Sequence, residues 1–97
     1  MGELWKELDG ENYRGYEVST HGRVRNTKTG RIVQGRLNKA NGYYRVNIRG
    51  KDEYTHRLVI NTFKPTDKPS HSVRHIDGNR TNNALLNLEW IRPKYKK

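Results

Sequence analysis

Turn-forming residues interrupt the first half of this sequence at short intervals, and their spacing restricts the possible folds more than any other feature. Between the turns, apolar and polar residues alternate with a period of two, which is typical of half-buried strands. The sequence therefore predicts a series of short antiparallel hairpins. The turns are STHG at 19–22, NTKTG at 26–30, Asn41-Gly42 and Gly50-Lys51-Asp52.

The pattern changes to a helical period at residue 55. Leu58, Val59, Thr62 and Phe63 fall on one face of a helix, with Thr55 expected to cap its start and Pro65 to end it. His56, in its first turn, is interpreted as a packing or phosphate-contacting residue. Further on, 73–76 and 88–91 are predicted as paired strands around a polar loop. The prediction is an α+β fold, with short antiparallel hairpins followed by one helix and a last hairpin.

The charge balance indicates the partner. Twenty Lys and Arg residues oppose ten Asp and Glu residues, which gives a net charge of +10 in 97 residues. Such an excess favours a polyanion, and double-stranded DNA is the expected partner. The absence of cysteine excludes disulfides, thiolate zinc sites and cysteine nucleophiles. No apolar stretch is long enough to cross a membrane, so we expect an intracellular protein.

Basic residues lie on the predicted strands with strand periodicity. In YYRVNIR, residues Tyr44, Val46 and Ile48 are expected on one face, and Tyr43, Arg45, Asn47 and Arg49 on the other. Arg23 and Arg25 likewise share a face, and further basic residues form a tail after Pro93. A ribbon with Arg and Asn on one side can contact DNA backbone or base edges. The residues that this pattern predicts to bind DNA are Arg23, Arg25, Arg45, Asn47 and Arg49.

The segment HSVRHIDGNRTNNALLNLEW, residues 71–90, concentrates histidine and asparagine in one short stretch. Its pattern V-x-H-I-D-G-N-x-x-N-N-x-x-x-N-L-x-W resembles the HNH endonucleases of phages and group I introns. GYYRVNI and THRLVINTF, upstream, resemble the segment that precedes the HNH hairpin in these proteins. LWKEL and YEVSTHGRVRN resemble the small modular domain often found in front of it. The resemblance covers residues 4–92.

The resemblance implies a ββα-metal (His-Me finger) site that cleaves DNA with one divalent ion, Mg²⁺ or Mn²⁺. By this match His75 is the general base and Asn87 the asparagine that orients it, with Asp77, Asn82 and Asn83 supporting the loop. The role of general base suits a histidine independently of the resemblance, because a neutral imidazole can activate the water that attacks a phosphodiester.

The residues at the family's metal-ligand positions are cationic. Arg74 stands where the family often has Asp, and Lys96 stands where it has a second ligand, so no metal ligand is assigned. The final helix is expected to be truncated. Arg74 and Lys96 are instead expected to be able to bind phosphate directly.

Three functions are therefore open: a metal-dependent DNA nicking or cleaving enzyme, a DNA-binding module that no longer cuts, and a module that binds a host protein or nucleoprotein complex. A phage-encoded protein acting in the host-cell cytoplasm fits each of them. The expected organisation is a β-rich DNA-binding segment, 1–54, and an HNH-like helix and hairpin, 55–97, in one compact unit.

Overall fold

The structure, a computed structural model, describes residues 2–66 and 71–91. Its strands are β1 (Trp5–Glu7), β2 (Tyr16–Ser19), β3 (Val24–Asn26), β4 (Arg36–Leu37), β5 (Tyr44–Ile48), β6 (Lys51–Tyr54), β7 (Ser72–His75) and β8 (Leu88–Ile91). One α-helix, α1 (Thr55–Phe63), follows β6, and single 3-10 turns lie at Glu11–Tyr13 and Leu85–Asn87. The predicted truncated helix and basic tail, residues 92–97, lie outside the described residues.

Three small antiparallel sheets surround the helix. Their strand orders are β1-β2-β3, β4-β5-β6 and β7-β8, and α1 contacts strands of all three. The helix buries Leu58, Val59 and Ile60 against apolar residues of every sheet. Because no sheet could bury its inner face alone, this shared core fixes the hairpins relative to one another. The core residues from outside the helix are Leu8, Val18, Val24, Val46, Ile48 and Leu88.

Several local predictions were wrong for identifiable reasons. Thr55 does not cap the helix: Tyr54 is the cap residue, and the buried Thr55 hydroxyl has no hydrogen-bond partner among the described residues. Residues 31–33 were expected to form a short strand after the NTKTG turn, but they form a single bridge, between Ile32 and Arg25. Strand β1 was not predicted, because three residues are too few to show alternation. No helix among the described residues is long and apolar enough to cross a membrane.

We predicted that one strand face carries Tyr43, Arg45, Asn47 and Arg49. This prediction is right only for the two middle residues, Arg45 and Asn47. Arg45 and Asn47 lie on the outer face of β5, opposite buried Val46 and Ile48. Arg49 follows the end of β5 with a φ of 53°, so it belongs to the turn. Tyr43 precedes β5, and its ring turns inward against two histidines. Strand periodicity does not extend past the ends of the strand, which is why both assignments failed.

Candidate functional site

The loop between β7 and β8 is closed by the side chain of Asn87. Its Nδ2 donates to Oδ1 of Asp77 and to the carbonyl of Asn82, each at 2.9 Å, and its Oδ1 accepts the Asp77 amide at 3.0 Å. The Asn82 amide donates to Oδ2 of Asp77 at 3.0 Å, and the Asn79 backbone amide to Oδ1 at 2.8 Å. These donors, Asn82 foremost, lower the pKa of Asp77. The loop is therefore held by a network centred on one carboxylate.

His75, the last residue of β7, faces the core side of the hairpin opposite Leu88 and is only 7% exposed. Its Nε2 lies 2.9 Å from Oδ1 of Asn83, which is also buried. An amide oxygen only accepts hydrogen bonds, so Nε2–H is the donor of this bond, and whenever the imidazole is neutral its lone pair is on Nδ1. Asn83, predicted as a loop support, is thus the direct partner of His75.

Two further aromatic rings pack against His75. The ring centroid of His56 lies 5.1 Å from that of His75 and 4.6 Å from that of Tyr43, with which it stacks. Burial and the neighbouring His75 lower the pKa of His56 to about 4, so it is neutral at pH 7. The interpretation of His56 as a packing residue fits this arrangement. Tyr43 was missed, because strand alternation had placed it on the opposite face.

The N-terminal half of the chain contacts the loop directly. The Leu85 amide donates to the Thr20 carbonyl at 2.8 Å, and Gly22 packs against the backbone of Asn83. From the loop, Arg80 donates to the carbonyl of Asn41 at 2.6 Å. The surroundings of His75 are therefore built from both halves of the sequence.

The predicted DNA-binding arginines of the first sheet do share a face. The guanidinium carbons of Arg23 and Arg25 lie 5.5 Å and 4.0 Å from the ring centroid of Trp5. Each is also in an ion pair, Arg23 with Glu3 and Arg25 with Glu17. The pairing with Arg23 lowers the pKa of Glu3 to about 2.

The residues predicted on β5 separate into two groups. Arg45 lies 3.3 Å from a carboxylate oxygen of Asp52, and the Asn47 amide donates to the same carboxylate at 3.0 Å. Arg49 instead donates to the Arg14 carbonyl at 2.6 Å and lies over the ring of Tyr16. Arg45 and Asn47 thus form a joint polar surface around Asp52, whereas Arg49 links two sheets.

Comparison with known proteins identifies the chain. The NUMOD4 motif matches residues 3–49, and the HNH endonuclease family matches residues 53–95. The chain belongs to the HNH endonuclease family, and its α+β architecture is the fold of an HNH homing endonuclease.

Its relatives come from a phage and a giant virus. The chain is 36% identical over 95 residues to the DNA endonuclease I-HmuI of Bacillus phage SP01, covering 93% of this chain and 53% of that protein. It is 35% identical over 96 residues to the uncharacterized HNH endonuclease L247 of Acanthamoeba polyphaga mimivirus, covering 92% of this chain and 24% of that one. A solved structure of DNA binding and cleavage by the HNH homing endonuclease I-HmuI superposes with a TM-score of 0.76 at 33% identity, covering 92% and 52% of the two chains. The chain thus spans about half the length of I-HmuI.

HNH nucleases generally depend on a divalent metal ion. The residues that the structure describes do not form a site that fits such an ion. Among residues 2–66 and 71–91, no three His, Cys, Asp or Glu residues lie close enough together to hold a metal. Arg74 is in an ion pair with Glu89 at 2.5 Å, and both carboxylate oxygens of Asp77 accept loop hydrogen bonds. Lys96 lies outside the described residues. The described side chains therefore offer no metal-binding carboxylate beside His75.

Proposed function

We propose that this chain is a DNA endonuclease that binds duplex DNA and nicks or cleaves it, with His75 as the general base. The observation that carries the proposal is the 2.9 Å contact between Nε2 of His75 and Oδ1 of Asn83. With Nε2–H donating this hydrogen bond to Asn83, Nδ1 of the imidazole is the atom that takes a proton from water. Asn87 supports this role by closing the loop that also carries Asn83. The reaction is placed in the cytoplasm of a phage-infected host cell.

Duplex DNA is the substrate that the charge favours. Arg23, Arg25, Arg45, Asn47, Arg49 and Arg74 are proposed as contacts. The ion pairs that hold four of these arginines do not oppose this role. All four arginine side chains are at least 36% exposed, so phosphate can reach them, and ion pairs at the surface contribute only about 0–1 kcal/mol. The contacts between residues 2–54 and the described part of 55–97 support the action of both segments as one unit.

A supercoiled-plasmid assay tests the proposal. Wild type, His75→Ala and the control His21→Ala, which removes an exposed turn histidine, are compared at low salt with Mg²⁺, Mn²⁺ or EDTA. We expect nicking by wild type and His21→Ala, and a loss of roughly a hundredfold or more in His75→Ala. Nicking that EDTA abolishes would mean that the ligands of the ion are not the described side chains beside His75. Equal nicking by His75→Ala would remove His75 from the reaction.

The second candidate is a DNA-binding module that does not cut. The Arg74–Glu89 ion pair favours it, because a cation stands at a metal-ligand position of the family and the nearest carboxylate is already paired. It predicts that the plasmid is retarded equally in Mg²⁺ and EDTA and is never nicked. Little binding to the plasmid at low salt would contradict both candidates and direct attention to a host protein or nucleoprotein partner.

A further inference from the structure

We propose that His56 and Tyr43 are positioning residues for His75, and that their stacked rings hold its imidazole in the orientation that bonds Nε2 to Asn83. The proposal deepens the proposed function, since it specifies what keeps the base oriented. It concerns the orientation of the ring, however, which can be measured whether or not the chain cuts DNA.

His75 is enclosed by two aromatic rings and by Asn83. The ring of Tyr43 lies 5.7 Å from that of His75 at 31°, and the ring of His56 lies 5.1 Å away at 58°. Asn83 engages the Nε2 edge. The three neighbours come from the β4–β5 connection, the first turn of α1 and the β7–β8 loop. A rotation of the imidazole would have to displace an aromatic ring or break the hydrogen bond to Asn83.

Among the described residues, Nδ1 of His56 has no hydrogen-bond partner. The residue is only 5% exposed, and this atom is buried. A buried polar atom without a partner destabilises the fold, so this nitrogen does not explain how His56 is held. Its contacts are the faces and edges of rings, with Tyr43 stacked at 29° and Tyr54 at 5.6 Å. His56 therefore acts on its neighbours through its ring.

Tyr43 is itself held by a residue of the β7–β8 loop, Arg80. The guanidinium carbon of Arg80 lies 4.9 Å from the centroid of Tyr43, and Arg80 also donates to the carbonyl of Asn41, two residues earlier. Tyr43 belongs to the part of the chain that matches the NUMOD4 motif, whereas Arg80 and His75 belong to the HNH part. The orientation of the base thus depends on both segments.

Side-chain NMR of the full chain tests the proposal independently of cleavage. Two-bond ¹H–¹⁵N spectra are expected to show His75 as one tautomer, protonated on Nε2, in wild type. His56→Ala and Tyr43→Ala are expected to give averaged tautomer signals, and the conservative variants His56→Phe and Tyr43→Phe to retain the wild-type pattern. Leu8→Ala, which loosens the core elsewhere, controls for general destabilisation. A single unchanged tautomer in both alanine variants, or the same averaging in Leu8→Ala, would overturn the proposal.

Single-turnover nicking gives the functional readout. In His56→Ala and Tyr43→Ala we expect the rate at saturating protein to fall roughly tenfold to a hundredfold, with the affinity for DNA unchanged. We expect His56→Phe and Tyr43→Phe to retain the single-turnover rate of wild type. A loss in affinity alone, or a failure of His56→Phe to restore the rate, would contradict positioning by the rings. If wild type does not nick at all, the proposed function fails, and the tautomer measurement still decides whether these residues orient His75.

Discussion

At the scale of single residues, the side-chain amide of Asn87 makes three hydrogen bonds that close the β7–β8 loop. Replacing Asn87 with alanine removes all three bonds. The two bonds to Asp77 are exposed to solvent, and only the bond to the Asn82 carbonyl is partly buried, so water replaces part of what is lost. We expect Asn87→Ala to lower the free energy of unfolding by about 0.5–1.5 kcal/mol in urea denaturation. Asn12→Ala, at an exposed asparagine, is the control and should be close to neutral. An Asn87→Ala protein as stable as wild type would mean that the loop closes without this side chain.

His56 gives a second prediction at this scale. Its pKa is about 4 in the folded protein and about 6.5 in the unfolded chain. Below pH 6.5 the unfolded state therefore binds more protons, so stability falls as the pH drops from 6.5 towards 4, by at most about 1.4 kcal/mol per pH unit. In His56→Phe this part of the pH dependence should disappear. Urea midpoints between pH 4 and 7 measure it, and parallel curves for the two proteins would show that His56 does not titrate in this way.

The sequence predicted the residues of the loop more completely than those around His75. Asp77, Asn82 and Asn87 lie within eleven positions of one another, so a local motif describes most of their contacts. His56 and Tyr43 are 19 and 32 positions from His75, and no local pattern encodes such contacts. Tyr43 also lies one residue before β5, where side chains no longer alternate between the two faces of a strand.

At the scale of elements, the helix and the last hairpin were predicted closely, because each has a clear period and a turn or proline at its end. The weak elements were the three-residue strand β1 and the single bridge at Ile32. These are held by partners rather than by their own sequence: β1 exists because Trp5, Lys6 and Glu7 pair with β2. Tertiary pairing determines such short segments, and propensity does not.

The turn between β2 and β3 provides a prediction at this scale. Gly22 has a φ of +85°, and a Cβ there would lie 2.7 Å from the carbonyl oxygen of Asn83. Gly30 has a φ of +74° with no heavy atom within 4 Å of such a Cβ. Gly30→Ala should therefore cost only the left-handed backbone strain, about 1–2 kcal/mol, whereas Gly22→Ala should cost clearly more. Equal losses in thermal or urea unfolding would show that the turn does not need its close contact with the loop.

At the scale of the whole molecule, the excess of positive charge was evident from composition, but its arrangement was not. The arginines predicted to contact DNA lie beside acidic residues in the folded chain: Glu3, Glu17, Asp52 and Glu89 face Arg23, Arg25, Arg45 and Arg74. These acids are far from the arginines in sequence or opposite them across strands, so only the pairing of the strands brings them together. Such pairs hold the guanidinium groups in place and lower the positive potential that DNA meets.

This arrangement predicts opposite effects for the two members of one ion pair. If about six phosphates are neutralised, the logarithm of the association constant should fall with the logarithm of salt concentration at a slope near −5. Arg45→Gln should weaken binding to any duplex and reduce the magnitude of the slope by about 1. Asp52→Asn should strengthen binding, because it removes a carboxylate from the surface beside Arg45 and Asn47.

Arg14→Gln, which removes one charge from an exposed pair with Glu11, controls for net charge. Fluorescence anisotropy across a salt series measures all four proteins. Indistinguishable slopes for Arg45→Gln and Arg14→Gln would mean that DNA responds to the total charge of the molecule and not to this face of β5.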